Sequence, residues 1–442
     1  MPELFSKARA FTIRKPIRAS QLLRALLLCL VTFITACAEV QHQTHLVVES
    51  QLRADKPEAA LQTLEKQSLP AKTTALYFLN KAMVLRHMGE YEQSTTAFEK
   101  AKAEIGRLSA TSITESLAAY TVTEQFNSYQ APTYERLFVH IYQIMNYLAL
   151  GNLEAARVEA LQIDVALNRL TEVNLYQEAA CARYITGLVF EANQEPDEAF
   201  IAYQQAFANY ERGKVSVPRD LQLRLASLAK RLGVDLGQTL TIDIADTQPP
   251  QQAQGQIVIL ADIDFAPRKI MSDTSVMDPQ SGNIVRVSLP HYQPRLLDGV
   301  TVTATLNQQS FNAEDFANIE AIAIDELHRR MPSIVSKTIS RNISKNSLAN
   351  QVKEENQILG QIVSIVGAAL EQADTRHWLT LPNKIEIASQ TLPPGNYSLA
   401  IDILDRRQQT LKHKSIENIE IKPNQLTFIN VSWQHANTYP IH

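Results

Sequence analysis

Apolar residues recur at spacings of three and four from about Gln41 to Leu232, broken by short turns of Gly, Asn, Asp and Pro, which predicts a series of paired helices. Two stretches carry the same spacing through a turn: Phe78, Ala82, Leu85, Gly89, Tyr91, Ser94, Phe98 and Ala101, then Ile144, Tyr147, Gly151, Leu153, Ala156, Ala160 and Ile163. A looser third runs through Gly187, Phe190, Ala199, Tyr203 and Ala206, with Gln194 in place of the turn glycine, and Ala60 and Leu64 suit the second helix of a further copy. The distance from Gly89 to Gly151 calls for an additional helix pair between them, at about Ser112 to Tyr129. Residues 239–256, rich in Pro and Gln, read as a linker.

Beyond the linker the period turns to two. Strands are predicted at Gln256 to Ala261, Ile284 to Leu289, Val300 to Leu306, Lys384 to Ala388, Tyr397 to Leu404, Ile416 to Ile421 and Leu426 to Trp433, with a hairpin turn at Pro393 to Asn396. Between them, residues 313–372 read as a helical insertion with a join at Pro332. Ile358 to Leu370 is apolar almost all round and suits a helix buried against the sheet, being shorter than the roughly 20 residues that a membrane crossing needs. The expected fold class is α+β: a helical-repeat domain over 55–238, then an antiparallel β-sandwich with an inserted helical hairpin over 257–442.

At the amino terminus the pattern carries an address. Lys7, Arg9, Arg14, Lys15, Arg18 and Arg24 precede the apolar run Ala25 to Phe33, and Ile34-Thr35-Ala36-Cys37 follows. This resembles the signal peptide and lipobox of bacterial lipoproteins. The resemblance implies cleavage after residue 36, acylation of Cys37, and a tether with a first helix over 37–54. In Gram-negative lipoproteins Ala rather than Asp after the cysteine, as at Ala38, implies release to the outer membrane, so outer-membrane lipid is the implied anchoring partner; a periplasm-facing body is expected, and Ala38 does not distinguish it from a surface-exposed one.

Loss of residues 1–36 removes six basic residues and one acidic one, so 42 Lys and Arg against 46 Asp and Glu become 36 against 45, a formal charge of −9. That balance argues against nucleic acid or anionic lipid as the main partner. With Cys29 and Cys37 taken by the leader and the lipid, Cys181 is the remaining free thiol and no intramolecular disulfide forms. It lies between Ala180 and Ala182, where a small buried residue is expected.

The sequence holds no HExxH, GxSxG, Walker loop, SxxK with KTG, or CxxC, so no catalytic residue, metal set or cofactor is assigned and the chain is expected not to be an enzyme. Two groups of binding candidates remain. The paired helices resemble tetratricopeptide repeats, and that likeness implies a superhelix whose first helices line a concave face for a protein or peptide partner; Asn80, Lys81, His140, Gln143 and Asn146 are the candidates on it. Asp374, Arg376 and Trp378 form a distinctive corner where helix returns to strand, suited to fixing a domain seam or to binding.

The lipobox, the repeats, the Pro267-Arg268-Lys269 turn, VSLPHY at 287–292, the IAIDELHRRM helix, ADTRHWLTLP and LPPGNYSL together resemble an uncharacterised family of Gram-negative outer-membrane lipoproteins with tetratricopeptide-type repeats, over most of the mature chain. Asp262-Ile263-Asp264 departs from it, standing where a Gly-bearing turn is expected. The lipobox and the repeats give the expected function, a lipid-anchored envelope scaffold for protein or peptide partners; the family resemblance supplies no activity or ligand and suggests only a link to cell-wall synthesis or envelope assembly. A glycan-binding module built on the β-rich half is the alternative.

Overall fold

The computed structural model describes residues 44–67, 73–115, 129–169, 175–236, 254–277, 284–295, 299–355 and 373–434, with the single positions 240 and 297. Cys37, residues 116–128, most of the expected linker and the apolar Ile358 to Leu370 lie outside the described residues. Val47–His442 forms one compact unit. The fold is mixed α and β. Its helices are α1 (residues 44–53), α2 (Pro57–Glu65), α3 (Thr74–His87), α4 (Tyr91–Glu115), α5 (Thr133–Ala149), α6 (Leu153–Asn168), α7 (Tyr176–Ala192), α8 (Pro196–Arg212), α9 (Arg219–Leu232) and α10 (Ile319–Glu355). No helix of the described residues is long and apolar enough to cross a membrane.

The turns within α3/α4, α5/α6 and α7/α8 share one geometry. Gly89, Gly151 and Gln194 all have a left-handed φ, of 78°, 69° and 60°. The amide after each donates back five residues, Glu90 to Leu85, Asn152 to Tyr147 and Glu195 to Phe190, and so satisfies a helix-terminal carbonyl. The third pair therefore makes the same turn without the glycine. Close approach is equally specific at Gly187 of α7, where any Cβ would run into the Tyr203 ring of α8.

Strands β1 (Gly255–Ile263), β7 (Lys384–Leu392), β10 (Leu426–Trp433) and β6 (Glu314–Asn318) form one sheet in the order β10-β1-β7-β6. A second holds β5 (Gln309–Asn312), β4 (Thr301–Leu306), β8 (Gly395–Leu404) and β9 (Thr410–Ile421) in the order β5-β4-β8-β9. The third is a two-stranded ribbon of β2 (Arg268–Met277) and β3 (Ile284–Gln293). Ile257, Ile259, Ala261 and Ile263 of β1 pack with β4, β8 and β9, whereas Val258 and Leu260 belong to the core shared with the helices. β1 is thus buried on both faces, in the middle of the β-rich half, which is why Ile257 to Ala261 is a continuous apolar run rather than an alternating one.

Several expectations are corrected. The β-rich half is not purely antiparallel, because β1 and β10 run parallel. Pro267-Arg268-Lys269 is not a turn; Arg268 and Lys269 open β2. The chain makes β5 and β6 before its helix, so helix begins at Ile319 rather than Ala313. Pro332 does not divide it, since α10 continues through that position. A proline removes one intrahelical donor and crowds the carbonyl four residues back, so α10 carries that cost at Pro332 without ending there. Where a glycine turn was expected, Asp264 itself takes a φ of 51°, a conformation that Asp adopts more readily than most residues.

The helices and the first sheet meet in one apolar core that joins Phe98, Phe138, Tyr142, Tyr184 and Tyr203 to Phe316, Ile322, Trp378, Leu381, Ile385 and Ile387. The inner face of the helical half is therefore filled by the chain's own β-rich half.

Candidate functional site

α5 starts after Pro132 and has no cap of its own, so its first amides need an acceptor from elsewhere. Glu326 of α10 supplies it, accepting from Thr133 N at 2.9 Å and Tyr134 N at 3.0 Å. A carboxylate is favoured there by the helix dipole as well. One residue further on, Glu135 is fully buried. It accepts from the Tyr129 hydroxyl, from Tyr134 Oη at 3.3 Å and from the backbone N–H of Trp378 at 2.9 Å. Burial pushes its carboxyl up to about 7, against the pull of the Tyr129 and Trp378 donors.

The Asp374 corner assembles beside it. Arg376 grips Asp374 through Nε to Oδ1 and Nη2 to Oδ2, both at 2.8 Å, and its own backbone N–H adds a third bond to Oδ1. Burial works to raise the Asp374 carboxyl, and the Arg376 charge overcomes it, so the group lies below the usual carboxylate range. The Arg376 guanidinium sits 5.6 Å from the centre of the Tyr129 ring. His377 donates from Nδ1 to the Thr375 carbonyl at 3.0 Å, and its ring meets Tyr292 edge-on at 6.2 Å. Tyr292 in turn shares a 3.1 Å hydrogen bond with Tyr134. Trp378 is buried between Phe98 and Tyr142, and Asn80 Oδ1 accepts from both the N–H and the hydroxyl of Thr380. Segments that are remote in sequence, β2 at Lys269, β3 at Tyr292, α10 at Glu326 and the stretch 374–380, thus converge on the start of α5.

The five helix candidates are dispersed, each with a partner in the chain. Asn80 holds Thr380, and Asn146 bonds Arg86 and the Ser94 hydroxyl. Lys81 pairs with Glu65 of α2 at 2.7 Å in a partly exposed contact. His140 and Gln143 do come together: His140 Nδ1 lies 2.7 Å from Glu159, Gln143 donates to Glu99 at 2.6 Å, and Lys102 bridges the two carboxylates. Cys181 is fully buried, its thiol pushed up by that burial. Among the described residues no group of three His, Cys, Asp or Glu is placed to hold a metal ion.

Two buried clusters have no clear signal in the sequence. Glu49 of α1 is held by Arg295 (2.6 Å) and Arg268 (3.0 Å), and Arg53 bonds both Glu49 and Asp264. Burial raises the Glu49 carboxyl, the three arginines outweigh it, and the result is about 2. On α7, α8 and α9, Arg224 pairs with Glu191 and Asp220, Glu191 accepts from Tyr203 at 2.6 Å, and Asp220 accepts from Tyr184 and from Ser389 of β7. An acid in a first helical turn, as at Glu135 or Asp220, reads in sequence as a dipole partner, so neither stands out. The chain matches no protein-family model and no curated protein at a significant level.

Proposed function

We propose that the mature chain is a lipid-anchored scaffold of a bacterial envelope, attached through Cys37 to outer-membrane lipid, facing the periplasm and binding a protein or peptide partner without catalysing a reaction. In this reading the helical half is an array of tetratricopeptide-type repeats, supported by the shared left-handed turns at Gly89, Gly151 and Gln194. Its inner face is closed by the β-rich half, so a partner is met elsewhere on the surface. The observation that carries this is the ribbon of β2 and β3, which forms no sheet with the other strands and carries Met277 and Ile284 paired at its outer end, 71% and 76% exposed. These are the most exposed large apolar side chains among the described residues, and Met271 of the same ribbon is exposed as well, so the ribbon suits a docking contact.

Crosslinking in intact cells tests the reading. Met277→Asp with Ile284→Asp is expected to weaken capture of the envelope partner at least about tenfold, roughly 1.4 kcal/mol, while Cys181→Ala and His377→Ala leave it within a few fold. Cys37→Ser is expected to abolish acylation and leave an unprocessed precursor. Palmitate labelling of the serine variant overturns the anchoring, and turnover of cell-wall fragments by purified protein, abolished by a single substitution, overturns the scaffold.

A further inference from the structure

α6 carries two apolar stripes, and the shared core uses one of them. Ala156, Ala160 and Ile163 are fully buried in that core. Val158, Leu161 and Val165 lie on the other side of the helix and are 47%, 41% and 50% exposed. A large apolar side chain standing singly on a surface is ordinary, but three at spacings of three and four on one helix form a continuous stripe, the pattern by which two helices meet. At about 100° per residue this stripe points almost directly away from the buried one, so the packing of α6 within the chain does not account for it.

The charges on the same face have an order of their own. Glu154 stands in the first turn of α6 and Arg169 is its C-cap residue, both exposed. Measured from the midpoint between Leu161 and Gln162, Glu154 and Arg169 are equally far along the chain, and so are Val158 and Val165. All four fall within about 30° of one line along the helix. The charges flanking that line are engaged inside the chain, Arg157 with Glu195 at 2.7 Å and Asp164 with Arg183. Glu154 and Arg169 belong to no ion pair among the described residues. An acid at the start and a base at the end of a helix suit its dipole, which explains the two charges but not the valines set symmetrically between them.

We propose that this face of α6 is a self-association surface, on which a second copy of the chain packs its own α6 in the antiparallel sense about a twofold axis between Leu161 and Gln162. A twofold contact needs a surface that complements itself when turned end for end, and the symmetric placement supplies one. Val158 comes level with Val165 of the second copy, and Leu161 meets Leu161 of the second copy beside the axis. At each end Glu154 comes level with Arg169 of the second copy. A parallel pair would set glutamate on glutamate and arginine on arginine, so the charges select the antiparallel arrangement, and the opposed helix dipoles favour it as well. A single helix face buries less than the roughly 800 Å² per copy of a tight complex, so the dimer is weak, with a Kd in the micromolar range.

Sedimentation velocity of the mature chain tests this. A reversible dimer is expected by about 100 μM, and Leu161→Asp is expected to weaken it at least about tenfold while leaving the circular dichroism spectrum and the melting temperature unchanged, because that side chain is exposed. Glu154→Arg and Arg169→Glu are each expected to weaken the dimer about threefold, and the two together to restore it, since only opposed ends exchange partners in this way. Val158→Cys with Val165→Cys is expected to form an interchain disulfide on mild oxidation and neither to do so alone, the buried Cys181 taking no part. A chain that stays monomeric at that concentration, a dimer indifferent to Leu161→Asp, or a double charge exchange no better than the single ones overturns the proposal. None of these measurements depends on acylation or on a partner at the ribbon, so their outcome is separate from that of the scaffold reading.

Discussion

Asn80 and Lys81 are adjacent in sequence and equally polar, yet their positions give them opposite weight. Asn80 is buried and its Oδ1 receives two donors from Thr380, so Asn80→Ala strands a buried amide and a hydroxyl. The expected cost is about 1–3 kcal/mol, read as a lower urea midpoint. Lys81 shares a partly exposed ion pair with Glu65, and Lys81→Ala is expected to change stability by less than about 1 kcal/mol in the same measurement. Gly187 makes a third case, since a methyl there meets the Tyr203 ring. Gly187→Ala is expected to destabilise by about 1–3 kcal/mol, although alanine is the better helix former. At this scale burial and neighbours, rather than residue type, set the outcome.

Among elements, the helix pairs were legible because each turn must leave the helix by one left-handed residue, and two of the three use glycine there. The third spends a glutamine on that conformation. Gln194→Gly is therefore expected to raise stability by up to about 1 kcal/mol, and Gly151→Val to lower it by about 1 kcal/mol or more, in thermal unfolding of the two variants side by side. The ribbon and the short strands were less legible. Arg268 and Lys269 beside Pro267 look like turn residues, and Glu314 to Asn318 looks like the start of a helix, because a strand of five residues offers too little pattern to compete with the apolar periodicity that follows it. Their pairing, β6 on β7 and β2 on β3, is what made them strands.

For the molecule as a whole, the shared core of helices and first sheet leaves no weak seam between the halves. Thermal unfolding is expected to be one transition, with far-ultraviolet dichroism and Trp378 fluorescence changing together; separate midpoints contradict this. The pH dependence follows from groups buried at the seam. Glu135 and Glu178, raised to about 7 by burial, and Asp262, raised by burial to about 6, bind protons more tightly folded than unfolded. Their contribution is complete below the ordinary carboxylate range of about 4 and is lost as the pH climbs through about 6 to 7. His87, lowered to about 4 by burial and then by Arg86, acts the other way, contributing above about 6.5 and losing that as the pH falls through 4. Glu49 contributes above the ordinary range and fails only as the pH falls through about 2. Three acids outweigh one histidine, so the melting temperature is expected to be a few degrees lower at about pH 8 than at about pH 5.5.

The amino-acid sequence by itself determined the local structure: the helical first half, the paired helices with their glycine turns, most strands of the second half, and the inert surroundings of Cys181. These depend on periodicity and backbone preference, which operate over a few residues. It also marked Asp374, Arg376 and Trp378 as a corner. Tertiary structure alone decided what the corner meets. Glu135 with its near neighbour Tyr129, Glu326 and the Trp378 amide come from three segments whose separation in the chain carries no hint of contact, and the Glu135 carboxyl is raised by exclusion from water, a property of the packed whole. The same holds for the helical inner face: its polar residues were legible as candidates for a partner, and only packing could show that Asn80 and the Trp378 pocket are already filled by the chain itself.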